Sequence, residues 1–165
     1  MKKTLNGLIA APFTPFNQDG SLALATVPAF AALLAHNGVS GAFVCGTTGE
    51  GCSLTNAERR SVAEAWRAAT PPQLALIVHV GHLSLGDARE LARHAQEIGA
   101  DAIATIAPGF FKPAGPLELA DWGRAATAVL LLSHARHDRR RHFRGGVSGG
   151  GRLTYPVACR CQIHA

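Results

Sequence analysis

The chain has 165 residues, 47% hydrophobic and 16% charged, which excludes an extended disordered or fibrous polypeptide and leaves room for one domain on the usual range of roughly 100–200 residues. It contains no run of about 18 apolar residues, so no membrane span is predicted. The net charge of +5 is unevenly held: residues 1–124 carry nine Lys/Arg and ten Asp/Glu, whereas residues 125–165 carry seven Arg against the single acid Asp138.

The Met1-Lys2-Lys3 start has the charge of an export signal, but Thr4 to Phe13 includes Asn6, Gly7 and Pro12 and ends in no clean cleavage site; a cytoplasmic protein is expected. Gly7–Phe13 reads as a buried strand closed by the turn Asn17-Gln18-Asp19-Gly20. Leu22 to Leu34 carries apolar residues at helical spacing, and Asn37-Gly38 is a helix stop. Gly41–Gly46 is a second strand. Thr55-Asn56-Ala57-Glu58 is a capping box that opens a helix to about Ala69. Gln73–Gly81 is a third strand. Ser84-Leu85-Gly86-Asp87 opens a helix to Ile98, with Gly99 as its stop. Asp101–Pro108 is a fourth strand, and a fourth helix runs from Leu117 to about Ala126.

These strands are continuous apolar runs, as in a parallel sheet covered on both faces. Four βα units in succession predict an α/β fold, either a barrel or a doubly wound sheet. No Gly-x-Gly-x-x-Gly follows the first strand, which counts against a dinucleotide fold. A full barrel needs eight units and about 250 residues; residues 1–124 supply four units.

The loop Gly46-Thr47-Thr48-Gly49-Glu50-Gly51 follows the second strand, on the side where barrel enzymes place their active sites. Two hydroxyls beside glycine-freed backbone N–H groups form a nest suited to a carboxylate or phosphate, although composition alone favours an ordinary glycine-rich turn. The lysine of a phosphate-binding P-loop is missing. His79, inside the third strand, reads as a core or barrel-interior histidine, while His82 just beyond that strand has the position to face a site. Cys45 and Cys52 flank the glycine loop with no histidine at metal-ligand spacing and read as buried cytosolic thiols. Lys112 reads as a solvated loop lysine, with a Schiff-base amine as the alternative. No metal or cofactor is expected.

Asn6–Leu22, the Gly46–Gly51 loop, Glu58–Trp66 and above all His79 to Pro113 resemble the dihydrodipicolinate synthase and N-acetylneuraminate lyase family of pyruvate-dependent class I aldolases. The resemblance covers residues 6 to about 124, under half of a family member. It implies a (β/α)8 TIM barrel, a lysine–pyruvate Schiff base, cleavage of sialic acid to N-acetylmannosamine and pyruvate, and a homotetramer. Thr47 and Thr48, framed by Gly46 and Gly49, would bind the pyruvate carboxylate. Phe110 and Phe111 would form part of the site wall; they stand where the synthase branch carries a proton-relay tyrosine, which favours the lyase branch over a synthase or another sugar-acid aldolase. The family's tyrosine, in a Tyr-Tyr-Tyr-His-x-Pro stretch, and its Schiff-base lysine, in a Gly-x-Lys-Phe stretch, are both missing here: the one tyrosine is Tyr155, in Leu-Thr-Tyr-Pro, and no lysine follows Lys112.

The genetic code accounts for that absence. If each codon of the tail holds the last base of a true codon and the first two of the next, Val129 to Arg140 permit Phe-Tyr-Tyr-Tyr-His-Met-Pro-Ala-Met-Thr-Gly-Val. In the same frame Thr154 to His164 permit Arg-Ile-Pro-Ser-Leu-Ala-Gly-Val-Lys-Phe-Thr. Both missing motifs return, in order. The expectation is a reading-frame slip between about Arg124 and Val129, a disordered out-of-frame tail at 125–165, and a chain without aldolase activity. A half barrel would also leave two strand edges and an apolar interior uncovered. The rival reading takes Arg136–Arg144 as a basic arm for nucleic acid or another polyanion; it lacks interleaved aromatics, and such a tail binds polyanions without selectivity. Cys159, Cys161 and His164 do not complete a tetrahedral metal site.

Overall fold

A computed structural model describes residues 5–110 and 112–134. Four short parallel strands form one sheet in the order β1-β2-β3-β4. They are β1 (Ile9–Ala10), β2 (Gly41–Val44), β3 (Ala75–His79) and β4 (Ala102–Ala104), and the helices α1 (Val27–His36), α2 (Asn56–Ala69), α3 (Leu85–Glu97) and α4 (Pro116–His134) follow them in turn. Each strand pairs with the next, Ile9 opposite Gly41, Phe43 opposite Ile77 and Ile77 opposite Ala102. The sequential parallel order is the α/β arrangement that the strand–helix alternation predicts, and it matches the first half of a (β/α)8 barrel wall rather than a doubly wound sheet.

Alternation along the strands sorts the side chains into two layers. Ala42, Val44, Leu76, Val78 and Ile103 face the helices and pack with Val27, Ala31, Val62, Trp66, Leu91 and Ala95. Trp66 is fully buried and continues a ring ladder through Phe30 (5.7 Å) to Phe13 (4.9 Å from Phe30). On the other face Ile77, Ala102 and Ala104 cluster with Leu5 and Phe43, where the barrel interior lies.

The helix signals act as expected. Thr55 Oγ1 accepts from the Glu58 backbone N–H and the Glu58 carboxylate accepts from the Thr55 N–H, a complete capping box. The Thr55 N–H and then the Thr55 hydroxyl, each donating to the carboxylate at 2.8 Å, hold the Glu58 carboxyl below its ordinary range. Ser84 caps α3 by accepting from Asp87 N–H, while Gly38 and Gly99 stop α1 and α3 with positive φ.

The strands are shorter than their apolar runs. Pro12 has no N–H to donate and Gly7 sits at φ 90°, so β1 keeps two residues. Cys45 at φ 58° ends β2 before Gly46. The first helix starts later than expected, Leu24–Thr26 forming a 3-10 turn before α1. α4 continues past Ala126 to His134, into the segment expected to be unstructured. Its Ala-Ala-Thr-Ala-Val-Leu-Leu-Leu stretch is a good helix former whatever its origin. The shifted-frame segments, Arg136–Arg144 and the Cys159, Cys161 and His164 group lie wholly or largely outside the described residues.

Candidate functional site

The loop after β2 is built to stand over the end of the sheet. Three close approaches dictate its glycines: a Cβ on Gly46 would lie 2.4 Å from the Phe43 ring, one on Gly49 3.2 Å from the Pro12 carbonyl, and one on Gly51 1.9 Å from the Cys45 carbonyl oxygen. The Gly51 N–H donates to Gly46 O (3.0 Å) and Glu50 N–H to Thr47 O (3.0 Å), which winds the segment into consecutive tight turns. Cys45 (φ 58°) and Glu50 (φ 54°) adopt the left-handed conformation that side-chain-bearing residues avoid. Buried Thr14, on the segment after β1, ties the loop down by donating to Gly49 O at 2.7 Å. Thr47 and Thr48 are left exposed at its crest, with no hydrogen-bond partner for their hydroxyls among the described residues. The four loop positions picked out by sequence, Gly46, Thr47, Thr48 and Gly49, therefore share one turn at the C-terminal end of β2, where hydroxyls and backbone N–H groups can meet a small anion.

Beneath the loop lies a residue that belongs to no sequence motif. Arg59 on α2 is 3% exposed and pairs with no carboxylate among the described residues. Its Nη2 donates to the His79 carbonyl at 2.7 Å and its Nη1 to the Gly81 carbonyl at 3.0 Å, capping the otherwise open end of β3. The Cys45 thiol completes this cluster, donating to Arg59 O at 3.7 Å. Burial pushes the thiol up to about 11, against the opposing pull of the Arg59 charge. The signal for Arg59 was present: it shares the i, i+3, i+4, i+7 stripe of Val62, Ala63 and Trp66, a charge inside an apolar face.

His79 is buried, as read from sequence, with its ring 6.0 Å from that of Phe43. Burial first, and then the nearby Arg59 charge, lower its pKa to about 4, so the ring is neutral at pH 7. Its Nδ1 lies 3.4 Å from Arg59 Nη2, and its Nε2 is a buried nitrogen without a partner among the described residues.

The other candidates fall elsewhere. His82 does not face the loop: its Nδ1 accepts from Ser84 N–H at 3.0 Å and lies 3.5 Å from Asp87 Oδ2, so it dresses the N-terminus of α3. Cys52 is exposed rather than buried, because it sits in the turn between the loop and α2. Lys112 is exposed, as the solvated reading requires. Phe110 is 78% exposed on the loop after β4, and Phe111 lies outside the described residues. Among the described residues no cluster of three or more His, Cys, Asp or Glu could hold a metal, and no helix is long and apolar enough to cross a membrane.

Comparison with known proteins fixes the lineage. The sequence profile of the dihydrodipicolinate synthetase family matches residues 4–128. The chain belongs to the dihydrodipicolinate synthetase family. Within that family it is similar to the N-acetylneuraminate lyase of Danio rerio, 50% identical over 113 residues that make up 67% of this chain and 37% of the relative. The human N-acetylneuraminate lyase is 49% identical over 114 residues, covering 68% of this chain and 36% of the relative. The solved N-acetylneuraminate lyase of Proteus mirabilis superposes with a TM-score of 0.74 at 46% identity, over 77% of this chain and 43% of that one. That of Aliivibrio salmonicida superposes with a TM-score of 0.75 at 40% identity, over 79% and 43%. The fold is thus that of the family's TIM barrel, and the chain spans well under half the length of the relatives it matches.

Proposed function

We propose that this chain carries the N-terminal half of a sialic acid aldolase barrel, the part that grips the carboxylate of pyruvate. The loop at the end of β2 supports this reading: it exposes Thr47 and Thr48 at the C-terminal end of the strand, in a chain 50% identical over 113 residues to an N-acetylneuraminate lyase. The carboxylate would accept from those hydroxyls and from backbone N–H groups of the Gly46–Gly49 turn, and neutral His79 and the Arg59-braced end of β3 would form the floor beneath it. In the whole barrel a lysine amine condenses with the ketone carbon of the substrate, releasing water. The resulting iminium accepts the electron pair of the breaking carbon–carbon bond, which yields N-acetylmannosamine and enzyme-bound pyruvate enamine. The whole enzyme on this reading is a cytoplasmic homotetramer, and Phe110-Phe111 in the sequence favours the lyase branch.

The chain of 165 residues does not itself contain the Gly-x-Lys-Phe or Tyr-Tyr-Tyr-His-x-Pro stretches; one shifted frame of its tail restores both. The reading is therefore that the gene encodes the aldolase and that this product is inactive. Borohydride reduction in the presence of pyruvate tests it. The chain should gain no covalent pyruvate, whereas the product of the frame-restored gene should be labelled at the lysine of its Gly-Val-Lys-Phe segment. An adduct at Lys112, or none on the frame-restored protein, would overturn the assignment.

A further inference from the structure

Two thiols bracket the glycine loop. Cys45 precedes Gly46 and is buried, and Cys52 follows Gly51 and is exposed. The loop folds back on its own start: a Cβ on Gly51 would lie 3.3 Å from Cys45 Cα, and the Gly51 N–H donates to Gly46 O. Cys52 stands one Cα step, about 3.8 Å, beyond that contact. Its turn is exposed through Ser53, so a small movement there brings the pair into the Cα separation of roughly 4.4–6.8 Å that a disulfide spans. A second observation singles out the same two sulfurs. The Arg59 guanidinium pairs with no carboxylate among the described residues and keeps a buried Nε without a partner, and its charge interacts with both Cys45 and Cys52. A thiolate at either position therefore forms in the field of a fixed cation.

We propose that Cys45 and Cys52 form a reversible disulfide that closes the loop carrying Thr47 and Thr48, with a small-molecule disulfide such as oxidised glutathione as the oxidant. The exposed Cys52 thiolate attacks one sulfur of that disulfide, giving a mixed disulfide and releasing one thiol. Cys45 then loses its proton to solvent, and its sulfur attacks the Cys52 sulfur and expels the second thiol. Two protein thiols are oxidised and one disulfide is reduced to two thiols. The second step is the slow one, because burial pushes the Cys45 thiol up to about 11 and the thiol donates to Arg59 O. The ring so closed contains Thr47 and Thr48. Under the aldolase reading oxidation would act on the carboxylate-binding turn; the pairing itself stands without that reading.

The test uses the full chain with Cys159→Ser and Cys161→Ser, which leaves Cys45 and Cys52 as its thiols. It is equilibrated with reduced and oxidised glutathione, quenched with N-ethylmaleimide and digested with trypsin. Both cysteines fall in one tryptic peptide, residues 4–59, so the disulfide appears as that peptide lighter by two hydrogens and unalkylated. The same equilibration in urea supplies the value for an unstructured loop. The disulfide should form in the folded chain with an equilibrium constant at least about tenfold above that in urea, and excess reduced glutathione should undo it. Adding Cys45→Ser should leave a single glutathione on Cys52. A mixed disulfide at Cys52 that never resolves, no oxidation at all, or a folded-to-urea ratio near one or below would overturn the proposal. If the serine substitutions alter the far-UV circular dichroism spectrum, the unsubstituted chain gives the same reading, since its tail cysteines lie in other tryptic peptides. Peptide mapping needs no pyruvate, so its outcome is separate from that of borohydride labelling.

Discussion

Replacing Arg59 with methionine is the sharpest test of how the site's floor is held. The substitution keeps the apolar stem in the Val62, Ala63 and Trp66 stripe and removes the guanidinium that caps β3. Two charge-assisted hydrogen bonds disappear, and the His79 and Gly81 carbonyls lose their charged donor; hydrogen bonds to charged groups contribute about 1.5–3 kcal/mol each. Against this, an unpaired cation need no longer be buried, a relief of several kcal/mol that offsets much of the gross loss. The gross loss of about 3–6 kcal/mol less that relief leaves an expected net destabilisation of about 1–3 kcal/mol. Arg59→Lys should fall between the two, because one ammonium cannot reproduce the fork to both carbonyls. Urea unfolding followed by tryptophan fluorescence (Trp66 and Trp122) and far-UV circular dichroism reads the difference, which corresponds to a midpoint shift of about 1 M for a small domain. A loss under about 0.5 kcal/mol, the range of an ordinary surface substitution, or any stabilisation, would show that Arg59 does not brace the end of the strand.

Three further outcomes follow from the same region. His79 has a folded pKa of about 4 against an ordinary 6.5, so the unfolded chain binds a proton that the folded one refuses between those values. Stability should be complete above pH 6.5 and decline as pH falls towards 4, by up to about 3 kcal/mol at roughly 1.4 kcal/mol per pH unit; His79→Gln should remove that part of the slope in acid-dependent urea melts. Gly51→Ala places a methyl carbon 1.9 Å from the Cys45 carbonyl and should destabilise by more than the roughly 1–2 kcal/mol of a left-handed backbone penalty alone, the cost expected for Gly99→Ala at φ 74° in open space. Thermal melts of the two variants compare them directly. Iodoacetamide at pH 8 should alkylate exposed Cys52 in the folded protein and reach Cys45 only after denaturation, as peptide mass mapping would reveal.

Helix starts and stops were legible because side chains make them: Thr55 with Glu58, Ser84 with Asp87, and glycines at positions 38 and 99 act within a turn of where they stand. The strand ends were not, since Cys45 leaves β2 under the demands of the Gly46–Gly51 turn, and an apolar run cannot register a backbone reversal. The glycine loop itself was readable from its position after a strand, but its anchor to Thr14 spans 35 residues and belongs to the fold alone. Arg59 was hidden by type: an arginine is ordinarily read as surface, and only its place in the apolar stripe betrayed it. The side of His82 was open for a related reason, since proximity to a strand end does not say whether a side chain turns to the interior or to the next helix.

The origin of residues 125–165 bears most directly on the functional reading, and the nucleotide sequence across codons 120–165 decides it. The account predicts a one-base slip between about codons 124 and 129, after which the corrected frame spells Phe-Tyr-Tyr-Tyr-His-Met-Pro and, further on, Gly-Val-Lys-Phe. Codons that confirm the present frame and spell neither motif when shifted would contradict it.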